Sequence, residues 1–254
     1  FTVREPDNSS IGTQAVSETG STDLFEVVLD AQPASDVVIS VTSGDTGEAT
    51  VSPSTLTFTS SNWATEQAIT VTGVNDAVVD GTVNSTITLA VVDGSSDNNY
   101  DPLANQTVTA TTADNDSPGF TVREPDNSSI GTQAVSETGS TDLFEVVLDA
   151  QPASDVVISV TSGDTGEATV SPSTLTFTSS NWATEQAITV TGVADNAIDG
   201  SQNTTITLAI NDGSSNDLWD SLANQTVTAS TADPWGFTVR EPDNSSIGTQ
   251  AVSE

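Results

Sequence analysis

The sequence predicts an all-β chain built from tandem Greek-key β-sandwich repeats arranged end to end. Three observations predict it. Residues 1–74 recur letter for letter as residues 120–193. Within each copy, runs rich in Val, Ile and Thr alternate with period two, the signature of half-buried antiparallel strands. Segments of Gly, Pro, Asn, Asp and Ser separate those runs, and no helical period is present.

The repeats set the domain organisation. Copy one occupies residues 1–119 and copy two residues 120–236, and residues 237–254 open a third copy. Each full copy has the length of one ordinary domain, enough to bury a core without covalent staples. The last 18 residues carry one strand pattern, which does not fold alone in water. They are expected to be completed by more of the array, or by a partner chain adding to the strand. The junctions 114–119 and 233–236 are short and contain Pro118 and Pro234, so neighbouring repeats are expected to be closely coupled in a rod.

The strands follow in order. Residues 1–4 alternate and continue as 13–17. Runs at 24–29, 37–42, 56–59 (the end of a descending stretch from Glu48 to Thr59), 69–72, 86–91 and 107–111 complete the set of seven. Val37, Ile39, Val41, Leu56, Phe58, Ile69, Val71, Ile87, Leu89 and Val91 are assigned to the core, and the Thr residues between them to water. Thr combines high strand propensity with no charge, which suits an acidic surface. Seven strands at this spacing point to a sandwich of immunoglobulin type. Trp63 and Trp182 fall in loops and are read as plugs for one end of each core.

Charge excludes several functions. The chain has 36 acids against three bases, Arg4, Arg123 and Arg240, for a formal net charge of −33. Nucleic-acid binding requires cations that displace counterions from phosphate, and anionic membranes impose the same demand. No apolar run is long enough to insert in a membrane. Cys, His and Lys are absent, which removes disulfides, thiolate metal sites, Schiff bases and the usual general bases. A catalytic group would have to be a carboxylate or hydroxyl, and no cleft is implied, so the chain reads as non-enzymatic. Asn-x-Ser/Thr sequons, among them those at Asn8, Asn84, Asn105, Asn127, Asn203, Asn224 and Asn244, admit glycosylation in a host that performs it.

Strand parity decides where the acids go. With the first strand running up, the loops holding Glu18, Asp45, Asp76, Asp80, Asp114 and Asp116 all fall at the upper pole, where the next repeat begins. Carboxylates gathered so densely repel unless a cation sits among them. Hard oxygen ligands in that number suit calcium. The competing reading is a solvated acidic cluster that only keeps a long fibre soluble.

The segment Val16-Ser17-Glu18-Thr19-Gly20, the loop Asn75-Asp76-Ala77-Val78-Val79-Asp80-Gly81 and the terminal Asp114-Asn115-Asp116 resemble Calx-beta repeats. Each whole copy resembles the Calx-beta-like domains found in long arrays in giant bacterial surface proteins and adhesins. The resemblance implies a seven-stranded sandwich with calcium at the pole nearest the following domain. It implies ligands at Glu18, Asp45, Asp76, Asp80, Asp114 and Asp116, and at Glu137, Asp164, Asp195, Asp199 and Asp233 in copy two. Copy two carries Trp235 where copy one carries Asp116, so a weaker site, or none, is expected there, with Trp235 free to pack on a neighbour.

Three functions fit these observations. One is a structural repeat of a secreted bacterial surface fibre or adhesin, whose partners are its neighbouring repeats. Another is a subunit of a self-assembling extracellular filament, sheath or matrix, whose partners are other copies of itself, through strand exchange. The third is a carbohydrate-binding module, for which four Trp and one Tyr are a thin supply.

Overall fold

A computed structural model describes residues 1–195 and 197–233. The strand read at 237–254, together with Trp235, Arg240 and Asn244, lies outside the described residues. The chain is all-β. In the first copy the strands are β1 (Thr2–Arg4), β2 (Gln14–Ser17), β3 (Thr22–Val28), β4 (Val37–Ser43), β5 (Ala49–Ser52), β6 (Thr55–Phe58), β7 (Gln67–Gly73), β8 (Val78–Val79), β9 (Val83–Val91) and β10 (Gln106–Ala113). In the second they are β11 (Phe120–Arg123), β12 (Gln133–Ser136), β13 (Thr141–Leu148), β14 (Gln151–Pro152), β15 (Val156–Ser162), β16 (Ala168–Ser171), β17 (Thr174–Phe177), β18 (Gln186–Gly192), β19 (Gln202–Ile210) and β20 (Gln225–Ala232).

Each copy forms two facing sheets. The first pair has the orders β1-β3-β7-β5 and β2-β10-β9-β4-β6. The second repeats them as β11-β13-β18-β16 and β12-β20-β19-β15-β17. The seven predicted runs become nine ladder strands per copy, because two of them change sheets partway. The first run divides into β1, antiparallel to β3, and β2, parallel to β10. The run from 48 to 59 divides at Pro53, which has no N–H to give a ladder; β5 pairs with β7 and β6 with β4.

The alternation places the core as read, with one exception. Nine of the ten assigned residues are buried, from Val37 to Leu89, whereas Val91 packs partly buried at the edge. Val91 is the last residue of β9, where the sandwich opens into the loop that follows. Phe25 and Val27 of β3 are also fully buried. Such a side chain contributes about 1.5–3 kcal/mol by leaving water. Trp63 and Trp182 pack partly buried against the two cores, and their carbonyls accept the N–H of Leu29 and Leu148.

The pairings give each copy an upper and a lower pole. The loops after β2, β4, β7 and β10 lie at the upper pole, and those after β3, β6 and β9 at the lower. At the lower pole the buried Asp97 accepts the N–H of Ala34 and Ser35, and the Tyr100 hydroxyl donates to the Ala31 carbonyl. The upper pole of copy one meets the lower pole of copy two: β8 pairs in parallel with β14.

Candidate metal centre

The upper pole of copy one is closed by backbone contacts between segments distant in sequence. The Glu18 N–H donates to the Ala113 carbonyl at 3.1 Å, and the Val74 N–H to that of Glu48 at 2.8 Å. Gly73 makes the approach possible. A Cβ there would lie 2.1 Å from the Ser17 carbonyl oxygen, so any side chain would push β7 off β2. The loop from 74 to 81 is thereby held over Glu18.

The acids then converge. Glu18, Glu48 and Asp80 each present a carboxylate oxygen within 4.8 Å of the other two. Glu18, Asp76 and Asp116 form a second triad at the same spacing, so Glu18 belongs to both. Two oxygens bound to one calcium lie at most roughly 5 Å apart, twice the ligand distance, and the spacing falls within that limit. Glu18 is only 2% exposed. Its Oε2 accepts the Asn115 N–H at 3.2 Å.

The other two predicted residues, Asp45 and Asp114, lie in neither triad and accept backbone N–H groups. Both oxygens of Asp114 are used: Oδ2 accepts the N–H of Asp80 and Gly81, and Oδ1 that of Asp116. Asp114 therefore ties the 74–81 loop to the end of β10. Asp45 Oδ1 accepts the Gly47 N–H at 3.0 Å, an Asx turn at the rim. Glu48, absent from the sequence reading, stands at the centre of the first triad. Its signal is present in the chain: it directly precedes the buried Ala49 at the upper start of β5.

Copy two reproduces the pole with altered sharing. Glu137, Asp199 and Asp233 form one triad, and Glu167, Asp195 and Asp199 the other, with Asp199 common to both. Glu167 is the counterpart of Glu48 and escapes the sequence reading in the same way. Asp233 Oδ2 accepts the Gly200 N–H, Asp195 Oδ1 that of Ala197, and Asp164 Oδ1 that of Gly166.

Crowding makes the charged forms costly. Burial, and then the Asp80 carboxylate, push Glu48 up to about 7. Burial, and then the adjoining Asp233, push Glu137 up to about 7 as well. Burial also raises Glu18, Asp80 and Glu167, with neighbouring carboxylates adding to it. No protein cation relieves the poles among the described residues, because Arg4 and Arg123 are engaged with Glu66 and Glu185 on the flank. Asp80 Oδ1, Asp116 Oδ2 and Asp233 Oδ1 are buried without a hydrogen-bond partner. Oxygens in that condition are rare in folded proteins and suit a hard cation. The donor set therefore fits calcium.

No family model matches the chain, and no curated protein matches it in sequence. Among solved structures, it is similar to CBD12 from CALX1.2, with a TM-score of 0.31 and 10% identity over 91% of this chain and 100% of that one. Domains 1–6 of the surface layer protein SbsC give a TM-score of 0.35 and 17% identity over 83% of this chain and 24% of that one. The E. coli chaperone DraB gives 0.33 and 7%, over 90% and 98%. Likeness at this level assigns no role.

Proposed function

We propose that this chain is a non-enzymatic structural segment of a large secreted bacterial surface fibre or adhesin, stiffened by calcium where one repeat meets the next. The observation that carries the reading is the pole of copy one. Five acids from four separate loops gather there around partnerless buried oxygens, and one of those loops inserts Val79 into the core of copy two. A cation and an inter-repeat contact share the same loop.

Glu18, Glu48, Asp76, Asp80 and Asp116 would hold the ion, with Asp45 at the rim and Asp114 fixing the loop from behind. In copy two the set is Glu137, Glu167, Asp195, Asp199 and Asp233, with Asp164 at the rim. Bound calcium supplies positive charge that cancels the repulsion and cross-links the loops. Without it, the 74–81 loop is held against its own repeat chiefly by Asp114, and the repeats hinge more freely. A rod of many equal units needs such a joint at every junction, whereas an active site needs a single constellation.

Thermal unfolding in about 10 mM calcium and again in chelator tests this. Extracellular calcium modules bind with dissociation constants of about 0.1–1 mM. Hundredfold saturation adds about 2.7 kcal/mol per site, which raises the melting temperature of domains this size by several degrees. Asp80→Asn is expected to reduce the rise. An identical melt in both buffers would leave the acids as solvating charge only.

A further inference from the structure

Acids make up 36 of the 254 residues, yet two whole sheet faces have none. Alternation turns every second residue of the five-stranded sheets outward. In copy one the outward positions of β2, β10, β9, β4 and β6 are Thr, Ser, Ala, Asn or Val, and no charge stands among them. The sheet β12-β20-β19-β15-β17 of copy two has the same character. Thr fills the middle of each face. Thr42, Thr88 and Thr107 lie in one row across three strands, and Thr86 pairs with Thr109 in the next. In copy two the first row is Thr161, Thr207 and Thr226.

Strand propensity alone does not produce these faces, because the four-stranded sheets keep charges at outward positions. There Arg4 stands opposite Glu26, and Arg123 opposite Glu145. Beyond Val74, where the copies diverge, the outward residues of β9 and β10 change at one position only. Thr111 becomes Ser230, which keeps the hydroxyl.

We propose that these uncharged faces are where chains of this protein pack side by side, each face against such a face of a second copy. At a net charge of −33, an approach through the poles brings carboxylates together. A hydroxyl is both donor and acceptor, so a surface paved with Thr is complementary to itself, and a carboxylate surface is not. Two sheets of equal twist stack with their strands about 30° apart, and the same patch on both partners makes the contact isologous. Each face measures roughly 20 Å across its strands and roughly 20 Å along them. A pair of faces therefore buries on the order of 1,000 Å² in total, the lower end for a specific interface. One pair is weak, and an array that repeats the face gains by multivalency. The contact lies on the flank of each sandwich and uses none of the pole carboxylates, so it stands apart from the calcium reading.

Sedimentation velocity of the whole chain at about 1 mM, the dissociation constant of a weak contact, tests it in chelator and high salt. Chelator removes cations that would bridge the acidic poles, and salt screens the acids around the faces. The chain is expected to reach at least twice the mass of a single chain. Thr109→Glu sets a charge in the middle of the first face and Thr228→Glu in the second, both at exposed positions. Either alone is expected to leave dimers and nothing larger. Together they are expected to leave single chains, with a melting temperature near that of wild type. As a control, Ala68→Glu with Ala187→Glu adds the same charge to the exposed outer faces of the four-stranded sheets, and this pair is expected to assemble as wild type does. A wild-type chain that stays at single-chain mass would overturn the proposal. So would undiminished assembly of the Thr109→Glu, Thr228→Glu chain, or loss of assembly in the control pair.

Discussion

The two upper poles start from the same sequence and end in different states. Up to Val74 and Val193 the copies are identical, and the sheets of the two copies have the same orders. Beyond that point the loops diverge. In copy one the tip is Val79, buried in a neighbour, and the pole is completed by Asp116. In copy two the tip is Ile198, exposed, and the second triad relies on Glu167 and Asp195. The body of a repeat needs only its own packing, so it tolerates verbatim duplication. The joint must suit a particular neighbour, and its tip residue differs between the copies.

The largest effect expected from this difference is at the tip. Val79→Asp should uncouple the repeats and cost about 2 kcal/mol, the value of burying a Val side chain. Ile198→Asp, at the equivalent exposed position, should change stability by less than about 0.5 kcal/mol. Denaturant unfolding of both variants checks it, and equal losses would remove the distinction between the buried tip and the exposed one.

A smaller effect is expected with pH, and it should not distinguish the copies until calcium is added. Glu48 and Glu137 are held at about 7, above the ordinary 4.5 of a glutamate. Between those values the folded chain binds more protons than the unfolded one, so stability falls as pH rises through the window. In chelator, melting should therefore be highest near about pH 5 and lower by a few degrees near about pH 8. Calcium binds the deprotonated form, so at millimolar calcium the fall should disappear or reverse. A chelated protein whose melting rises from about pH 5 to about pH 8 would contradict the crowding at the poles.

Much of this is legible in the sequence. Alternation places nearly the whole core, and strand parity alone brings Glu18, Asp76, Asp80 and Asp116 to one pole. What escapes is contact between elements. Glu48 reads as the first residue of a strand, and only the closure of that strand's upper end against Val74 shows it facing Glu18. Asp114 has the look of a ligand, but its two oxygens hold backbone N–H groups, two of them across 33 and 34 residues of sequence. Val79 reads as part of an acidic loop, because nothing local marks a side chain that will be buried by the next domain. The divisions at Glu5 and Pro53 turn on which sheet a short strand joins, a choice that period-two alternation does not make.

Calorimetric titration of calcium into the whole chain, beside its Glu18→Gln variant, tests the central claim most directly. Glu18 is shared by both triads of the first pole, and its loss should remove the tighter binding event while leaving a weaker one at the second pole. The weaker event should then disappear on Asp199→Asn. Calcium binding that Glu18→Gln leaves untouched, or no binding at millimolar calcium, would contradict a calcium joint between these repeats.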